Sequence, residues 1–196
     1  MTSTLLDPKT ALVLIDLQRG IAAMPTLPHA ADEVIARGAQ LAKAFRERGL
    51  PVVLVRVSFA EDGGDMPPGR TMQPGGRMTP PAGWDELVDE LDVQPDDLRI
   101  TKRQWGAFHG TSLDVQLRRR GVTTIVLGGI ATSIGVESTA RAAHEHGYHV
   151  VVATDAVADR DAASHDHSIE KIFPRLGVTA TTDEVLDVLA GLPTED

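Results

Sequence analysis

The sequence predicts an α/β protein built as a three-layer α/β/α sandwich with a mostly parallel central sheet. Short apolar runs rich in β-branched residues alternate along the chain with longer segments that have the 3.6-residue period of helices. Four glycines, Gly49, Gly121, Gly147 and Gly177, stand where these helical segments should end. This alternation is typical of a parallel sheet covered by helices on both faces.

Six strands and five helices can be assigned in chain order. The predicted strands are ALVLID (11–16), PVVLVRV (51–57), LRIT (98–101), TTIVLGG (123–129), HVVVATD (149–155) and VTAT (178–181). The predicted helices lie near residues 30–48, 111–120, 135–146, 165–174 and 182–191. Residues 58–82 contain five prolines and five glycines, which predicts a long loop. Such a loop is either a lid over a binding site or a mobile surface excursion.

Length and composition limit the class of protein. A chain of 196 residues is long enough for one domain, residues 1–196, with a substantial core. The formal net charge of −9 disfavours nucleic acid and anionic membranes, so a small molecule is the expected partner. The absence of Cys excludes disulfides, thiolate metal sites and thiol nucleophiles. The sequence has no signal-peptide pattern and no apolar stretch of membrane-spanning length, so we expect a cytoplasmic location.

The site is expected at the carboxyl ends of the strands, where open parallel sheets bind their ligands. Asp16 ends the first predicted strand, Lys102 follows the third, and the loop GIATSIG follows the fourth. A carboxylate that follows five apolar residues is partly desolvated, which raises its pKa and makes it a candidate proton donor or acceptor. Lys102 would oppose that shift and could stabilise negative charge in a transition state. The alternative for Asp16 is a strand-end cap or a structural ion pair.

Three ordered motifs resemble the isochorismatase-like hydrolases of the cysteine hydrolase superfamily. They are ALVLIDLQ with Asp16, ITKRQWGAFHGTSLD with Lys102, and VLGGIATSIGVESTARAAHEHGY followed by VVVATDAVAD, and the similarity extends from about residue 9 to residue 189. The resemblance implies a Rossmann-like fold and, in most members, a triad of Asp, Lys and Cys whose thiol attacks an amide carbonyl. Asp16 and Lys102 match that triad, whereas Gly135 stands in the place of the nucleophile.

The glycine changes the implied chemistry. The isochorismatases proper similarly have glycine there and cleave an enol ether, in which a carboxylic acid protonates the vinyl carbon and water traps the oxocarbenium ion. The resemblance therefore implies a hydrolase without a covalent intermediate, with Asp16 as general acid or base and Lys102 as its electrostatic partner. A water-mediated amidase and a small-molecule-binding protein that has lost catalysis are the alternatives. Ser133 and Ser138 are weaker candidates for a nucleophile, because neither has an evident histidine base beside it.

Further ligand contacts are expected around these positions. The candidate substrate-binding residues are Gln18, Trp105, Phe108, His109, Ile130, Ala131, Thr132, Ser133 and Ile134. The alternatives are turn capping for Gln18 and packing for the aromatic side chains. The backbone at Gly135 and Ala131 is expected to cradle the substrate, and the resemblance implies a cis peptide between Ile130 and Ala131. It also implies assembly as a homodimer or homotetramer.

Neither a metal nor another cofactor is expected. The Asp-aromatic-His run that carries a metal in many nicotinamidases is missing after the second strand, where the chain reads VRVSFAEDGGD. Clustered histidines invite a metal interpretation, but His144 and His146 are two apart on a predicted helix and do not face each other. We interpret these two, together with His149, His165 and His167, as surface residues.

Overall fold

The computed structural model describes residues 5–67, 69, 72 and 80–193. The described residues form six strands, which are β1 (Thr10–Ile15), β2 (Val52–Val57), β3 (Leu98–Lys102), β4 (Thr124–Ile130), β5 (His149–Ala158) and β6 (Val178–Ala180). All pair in parallel, in the order β3-β2-β1-β4-β5-β6. The predicted sheet is therefore confirmed.

Seven α-helices connect the strands and close the described chain. They are α1 (Arg19–Ala22), α2 (Ala31–Glu47), α3 (Leu113–Arg119), α4 (Glu137–Glu145), α5 (Ala162–His167), α6 (Phe173–Leu176) and α7 (Thr182–Ala190). A 3-10 turn covers Asp89–Leu91, and π-helical turns cover Thr132–Val136 and Ser168–Ile172. None of the helices in the described ranges combines the length and hydrophobicity needed to cross a bilayer.

Each face of the sheet packs against its own helix layer. On one face, Leu12 and Leu54 pack in a core cluster that includes Phe45 of α2 and Leu189 of α7. On the other face, Val13 belongs to a cluster with side chains of α3, α4 and α6. Because successive residues of a strand point to opposite faces, the continuously apolar strands supply both cores. The predicted three-layer sandwich is confirmed.

The strand order reverses between β1 and β4. From β1 the chain proceeds outward through β2 and β3, then returns to place β4 on the other side of β1. Connections leave these two central strands in opposite directions, which opens a crevice above their carboxyl ends. Asp16 and the turn at Gly135 lie at this point.

Several element boundaries differ from the prediction for identifiable reasons. β5 continues three residues beyond Asp155, because after a register shift Val157 and Ala158 pair with Gly129 and Ile130 of β4. The predicted helix at 165–174 begins earlier as α5, because Asp161 caps it by accepting the Ser164 N–H. In the predicted loop 58–82, residues 58–67 and 80–82 contain turns without helix or strand. Residues 68, 70, 71 and 73–79 lie outside the described residues.

Candidate active site

Asp16 leaves the sheet at the end of β1. Its φ of 52° lies in the left-handed region, which Asp tolerates better than most residues. Its N–H still donates to the Val55 carbonyl oxygen of β2 at 2.9 Å, so the backbone remains anchored to the sheet. Only 5% of the residue is exposed. The predicted burial of a carboxyl at the end of the first strand is confirmed.

Lys102 forms a buried ion pair with Asp16. Its Nζ lies 2.7 Å from Asp16 Oδ2 and donates a second hydrogen bond to the Gln104 carbonyl oxygen at 3.1 Å. Lys102 is 2% exposed, so water screens this pair weakly. The second carboxyl oxygen, Asp16 Oδ1, is buried and has no hydrogen-bond partner among the described residues. One oxygen is thus fixed by Lys102, and the other is left without a hydrogen bond from the part of the chain that the structure describes.

Burial and the ion pair act on the Asp16 carboxyl in opposite directions. Desolvation disfavours the charged form and is the larger effect, whereas the Lys102 ammonium favours that form. The balance raises the pKa of Asp16 from its ordinary value of 3.8 to about 6. Such a carboxyl can both release and accept a proton near neutral pH.

Gly135 faces this carboxyl from the turn after β4. The turn follows a cis peptide between Ile130 and Ala131, as the resemblance implies. A β-carbon built on Gly135 would lie 3.3 Å from Asp16 Oδ2 and 2.9 Å from Ile15 Cγ2. The structure brings Asp16, Lys102 and Gly135 together at this point. The Ile15 methyl group also lies too close for an ordinary side chain at residue 135.

Two buried side chains that the sequence analysis did not select hold this turn. Asp159, at the end of β5, accepts the Ser133 N–H at 2.6 Å. His165 Nδ1 lies 2.9 Å from Thr132 Oγ1, and burial lowers the pKa of this histidine. The prediction that His165 is a surface residue is wrong, because the early start of α5 turns it inward to 5% exposure. Asp159 directly follows β5, so its place at the carboxyl end of a strand was an available signal, whereas His165 lies further on, within α5, and had no such signal.

Part of the expected backbone cradle is occupied within the protein. The Ser133 N–H is bound to Asp159, and the N–H groups of Ile134 and Val136 both donate to the Ala131 carbonyl oxygen at 3.2 Å. These three donors are therefore not directed at a ligand in this conformation.

The remaining predicted contacts lie in different surroundings. Gln18 is fully buried, and its amide pairs with both the N–H and the carbonyl oxygen of Val57. Trp105 is 65% exposed beside the turn, whereas Phe108 is buried with its ring 5.7 Å from that of Tyr148. His109 is exposed. Ile130 belongs to the core, whereas Ala131 and Ile134 are half-buried at the turn.

Other features of the described chain lie away from this site. Two cavities, of about 1010 and 600 Å³, open at the amino-terminal edge of the sheet, and none of the predicted site residues lines them. Within the described ranges, no three His, Asp or Glu side chains are grouped so that they could hold a metal ion.

Comparison with known proteins identifies the class to which this fold and site belong. The isochorismatase domain matches residues 10–184. The chain therefore belongs to the isochorismatase family and is a hydrolase of that family.

Individual relatives extend over nearly the whole chain. The uncharacterized isochorismatase family protein YecD of Escherichia coli O157:H7 is 46% identical over 180 residues, 92% of this chain and 96% of that protein. An isochorismatase family protein from Burkholderia thailandensis has a structure similar to this one, with a TM-score of 0.92 and 48% identity over 94% of this chain and 97% of that one. The ureidoacrylate amidohydrolase RutB of Pseudomonas syringae pv. syringae (strain B728a) is 34% identical over 171 residues, 76% of this chain and 70% of that protein.

Proposed function

We propose that this hydrolase cleaves an enol ether, or a similar bond in a small molecule, without a covalent intermediate. Asp16 gives its proton to the vinyl carbon, and water adds to the resulting oxocarbenium carbon. One proton of that water returns to Asp16, and the other passes to the leaving oxygen as the carbon–oxygen bond breaks, which releases a ketone and an alcohol. Lys102 stabilises the carboxylate that exists between the two proton transfers.

The observation that carries this proposal is the state of the Asp16 carboxyl. Oδ2 is held by Lys102 at 2.7 Å, while the buried Oδ1 has no partner among the described residues. Buried polar atoms are nearly always paired, so an orphaned oxygen of this kind suits a proton that passes to a ligand. With a pKa of about 6, the carboxyl retains a useful fraction of its acid form near neutral pH.

The surroundings of Gly135 support a mechanism without an attacking side chain. The place that a nucleophile's β-carbon would take lies 2.9 Å from Ile15 Cγ2, closer than ordinary van der Waals contact. Ile15 is fully buried and β-branched, so its methyl group has little freedom to move away. Packing around the glycine is thus adapted to the absence of a side chain.

Amide hydrolysis by a water molecule that Asp16 activates is the second candidate. The 34% identity to a ureidoacrylate amidohydrolase favours it. In that reaction Asp16 would act first as a base, and its ionised form would be the active one. The two candidates therefore differ in the bond that is cleaved and in the form of Asp16 that is needed.

Replacement of Asp16 by Asn tests the role of the carboxyl. Asn has nearly the same shape as Asp and tolerates the left-handed backbone, but its amide cannot take up or release a proton near neutral pH. We expect turnover to be abolished while the circular dichroism spectrum is unchanged. Isochorismate, related enol ethers and a panel of amides are the substrates to screen, with ligand binding followed by thermal shift.

Asp97→Asn is the matched control, because Asp97 is also a buried carboxylate in an ion pair but lies before β3, at the other edge of the sheet. Turnover by the Asp16→Asn variant at the rate of the unaltered protein would refute the assignment. Binding without turnover for every bond type would instead indicate a binding protein that has lost catalysis.

Two further features of the chain are also proposed. We propose that the chain forms the homodimer or homotetramer that the resemblance implies, and that residues 58–82 act as a lid. The cytoplasmic location and the single domain over residues 1–196 stay predictions from the sequence.

A further inference from the structure

Thr139 connects two segments of the candidate site through one hydroxyl group. It lies in the first turn of α4 and is fully buried. Its Oγ1 donates to the Gly135 carbonyl oxygen at 2.7 Å and accepts the Ala107 N–H at 3.1 Å. Both bonds are buried, so neither group has water as a substitute partner.

Residues 102–107 form a strap that crosses the site between these contacts. At its first end, Lys102 Nζ binds Asp16 Oδ2 and the Gln104 carbonyl oxygen. At its last end, the Ala107 N–H is held by Thr139. In between, a β-carbon built on Gly106 would lie only 3.4 Å from the Ser138 Cβ, so the strap packs closely on α4.

The strap also borders the position opposite the Asp16 carboxyl. The Trp105 carbonyl oxygen lies 3.5 Å from the β-carbon position of Gly135, and Asp16 Oδ2 lies 3.3 Å from that same position. Contacts therefore run from Asp16 through Lys102, the strap and Thr139 to Gly135, whose empty β-carbon position lies beside Asp16 Oδ2. A shift of the strap would alter the space in which a substrate reacts and would admit water to the ion pair.

We propose that Thr139 is a positioning residue whose hydroxyl holds the strap against Gly135 and thereby keeps the Asp16 and Lys102 pair dry and correctly placed. This inference rests on the proposed function, because it gives Thr139 a role in the reaction that Asp16 performs. The hydroxyl acts through the backbone of Gly135 and Ala107 and does not itself touch the reacting atoms.

Thr139→Val tests the role of the hydroxyl, because Val has the same shape and cannot make either hydrogen bond. Amide hydrogen exchange at Ala107 is expected to accelerate by about tenfold or more. The pKa of Asp16, followed by carboxyl-carbon NMR, is expected to fall toward 3.8, because burial is the main cause of its elevation. With a cleaved substrate, kcat should fall on the order of 10- to 100-fold, with a smaller change in KM.

Two variants serve as controls. Thr139→Ser retains the hydroxyl and should restore slow exchange, the Asp16 pKa and kcat. Thr124→Val removes another buried threonine hydroxyl, which donates to Asp7 at the amino-terminal edge of the sheet. Thr124→Val should leave the exchange rate at Ala107, the Asp16 pKa and kcat unchanged. Thr124 is remote from the site, so its replacement could alter these quantities only through a general loss of stability.

Unchanged exchange at Ala107 and an unchanged Asp16 pKa in Thr139→Val would overturn the proposal. Equal effects of Thr124→Val would also overturn it. If Thr139→Val does not fold, Thr139→Ala replaces it, and fast exchange at Ala107 in the unaltered protein would contradict the proposal by itself. Exchange and titration need no substrate, so they decide this inference even if no enol ether is cleaved and the proposed function fails.

Discussion

At the scale of single residues, the chemistry depends on how the protein surrounds one carboxyl. Asp16 is buried at the end of an apolar strand, and it is paired with the ammonium group of Lys102. Burial raises the pKa of this carboxyl, whereas the ammonium group lowers it. Desolvation is the larger effect, so the pKa of Asp16 rises to about 6. The sequence already indicates both residues and the direction of the shift. It does not indicate the orphaned Oδ1, because that depends on which backbone groups reach the crevice.

The pH dependence of turnover distinguishes the two candidate reactions. An acid must be protonated to act, so kcat/KM for an enol ether should be constant well below the Asp16 pKa of about 6 in the free protein and fall about tenfold per pH unit above it. Lys102→Met should lower kcat and move the descending limb to higher pH, because the ammonium lowers the pKa of Asp16. Steady-state rates measured from about pH 4.5 to about pH 8.5, a range in which most proteins stay folded, test this prediction.

Lys43→Met is the matched control for this prediction. Lys43 is exposed on α2 and pairs with Glu47 of the same helix at 3.7 Å, so its removal should leave the limb in place. A rate that rises with pH through 6 would contradict the acid mechanism and support Asp16 as a base.

At the scale of elements, the turn between β4 and α4 determines what the site can do. The sequence predicts a helix from residue 135, but the chain begins a π-helical turn at Thr132 and reaches α4 only at Glu137. The hydrophobic periodicity does not predict the π-helical turn, because the turn is held by Asp159 and His165, which are distant from it in sequence. Local patterns predict elements, whereas long-range polar contacts determine the geometry of their ends.

Gly135→Ala tests whether the turn needs an empty position opposite Asp16. The added methyl group would lie 2.9 Å from Ile15 Cγ2 and 3.3 Å from Asp16 Oδ2. We expect kcat/KM to fall by roughly 10- to 100-fold, because the methyl group displaces the substrate. Gly191→Ala, where the new atom makes only ordinary contacts at the end of α7, is the control. Full activity of Gly135→Ala would show that the space is not used.

Gly135→Cys places a thiol at the same position. It should impair enol ether cleavage as much as Gly135→Ala does, because the two β-carbons meet the same neighbours. A gain of amide hydrolysis that Gly135→Ala lacks would instead show that the rest of an amidase site is intact.

At the scale of the whole molecule, the carboxyl and amino ends of the strands form two edges of the sheet, and the polar groups buried at these edges differ. The carboxyl edge carries the orphaned oxygen and the turn at Gly135. The amino edge carries a largely buried ion pair in which both carboxylate oxygens are bonded: Arg46 Nε and Nη2 bind the two Asp97 oxygens at 3.0 and 2.7 Å. Strand alternation predicts the sheet and which end binds a ligand, but not this pair, whose residues are 51 positions apart.

Asp97→Asn should therefore reduce stability without removing catalysis. It leaves the Arg46 guanidinium largely buried without a full countercharge, which we expect to lower the free energy of unfolding by about 3 kcal/mol. Urea unfolding at pH 7 provides the measurement, and kcat should be retained in the absence of urea. Asp89→Asn, which breaks an exposed pair with Arg19, should cost under about 1 kcal/mol. Loss of kcat in the folded Asp97→Asn variant would contradict this separation of the two edges.

The buried Asp16 carboxyl also links proton binding to folding. Its pKa rises from 3.8 in the unfolded chain to about 6 in the folded one, so between these values the folded state keeps a proton that the unfolded state has released. As the pH rises through this window, the contribution of Asp16 to stability therefore falls, by about 3 kcal/mol in total. At neutral pH the burial of Asp16 therefore lowers the stability of the folded chain. The same burial leaves, at the end of β1, a carboxyl that readily takes up a proton.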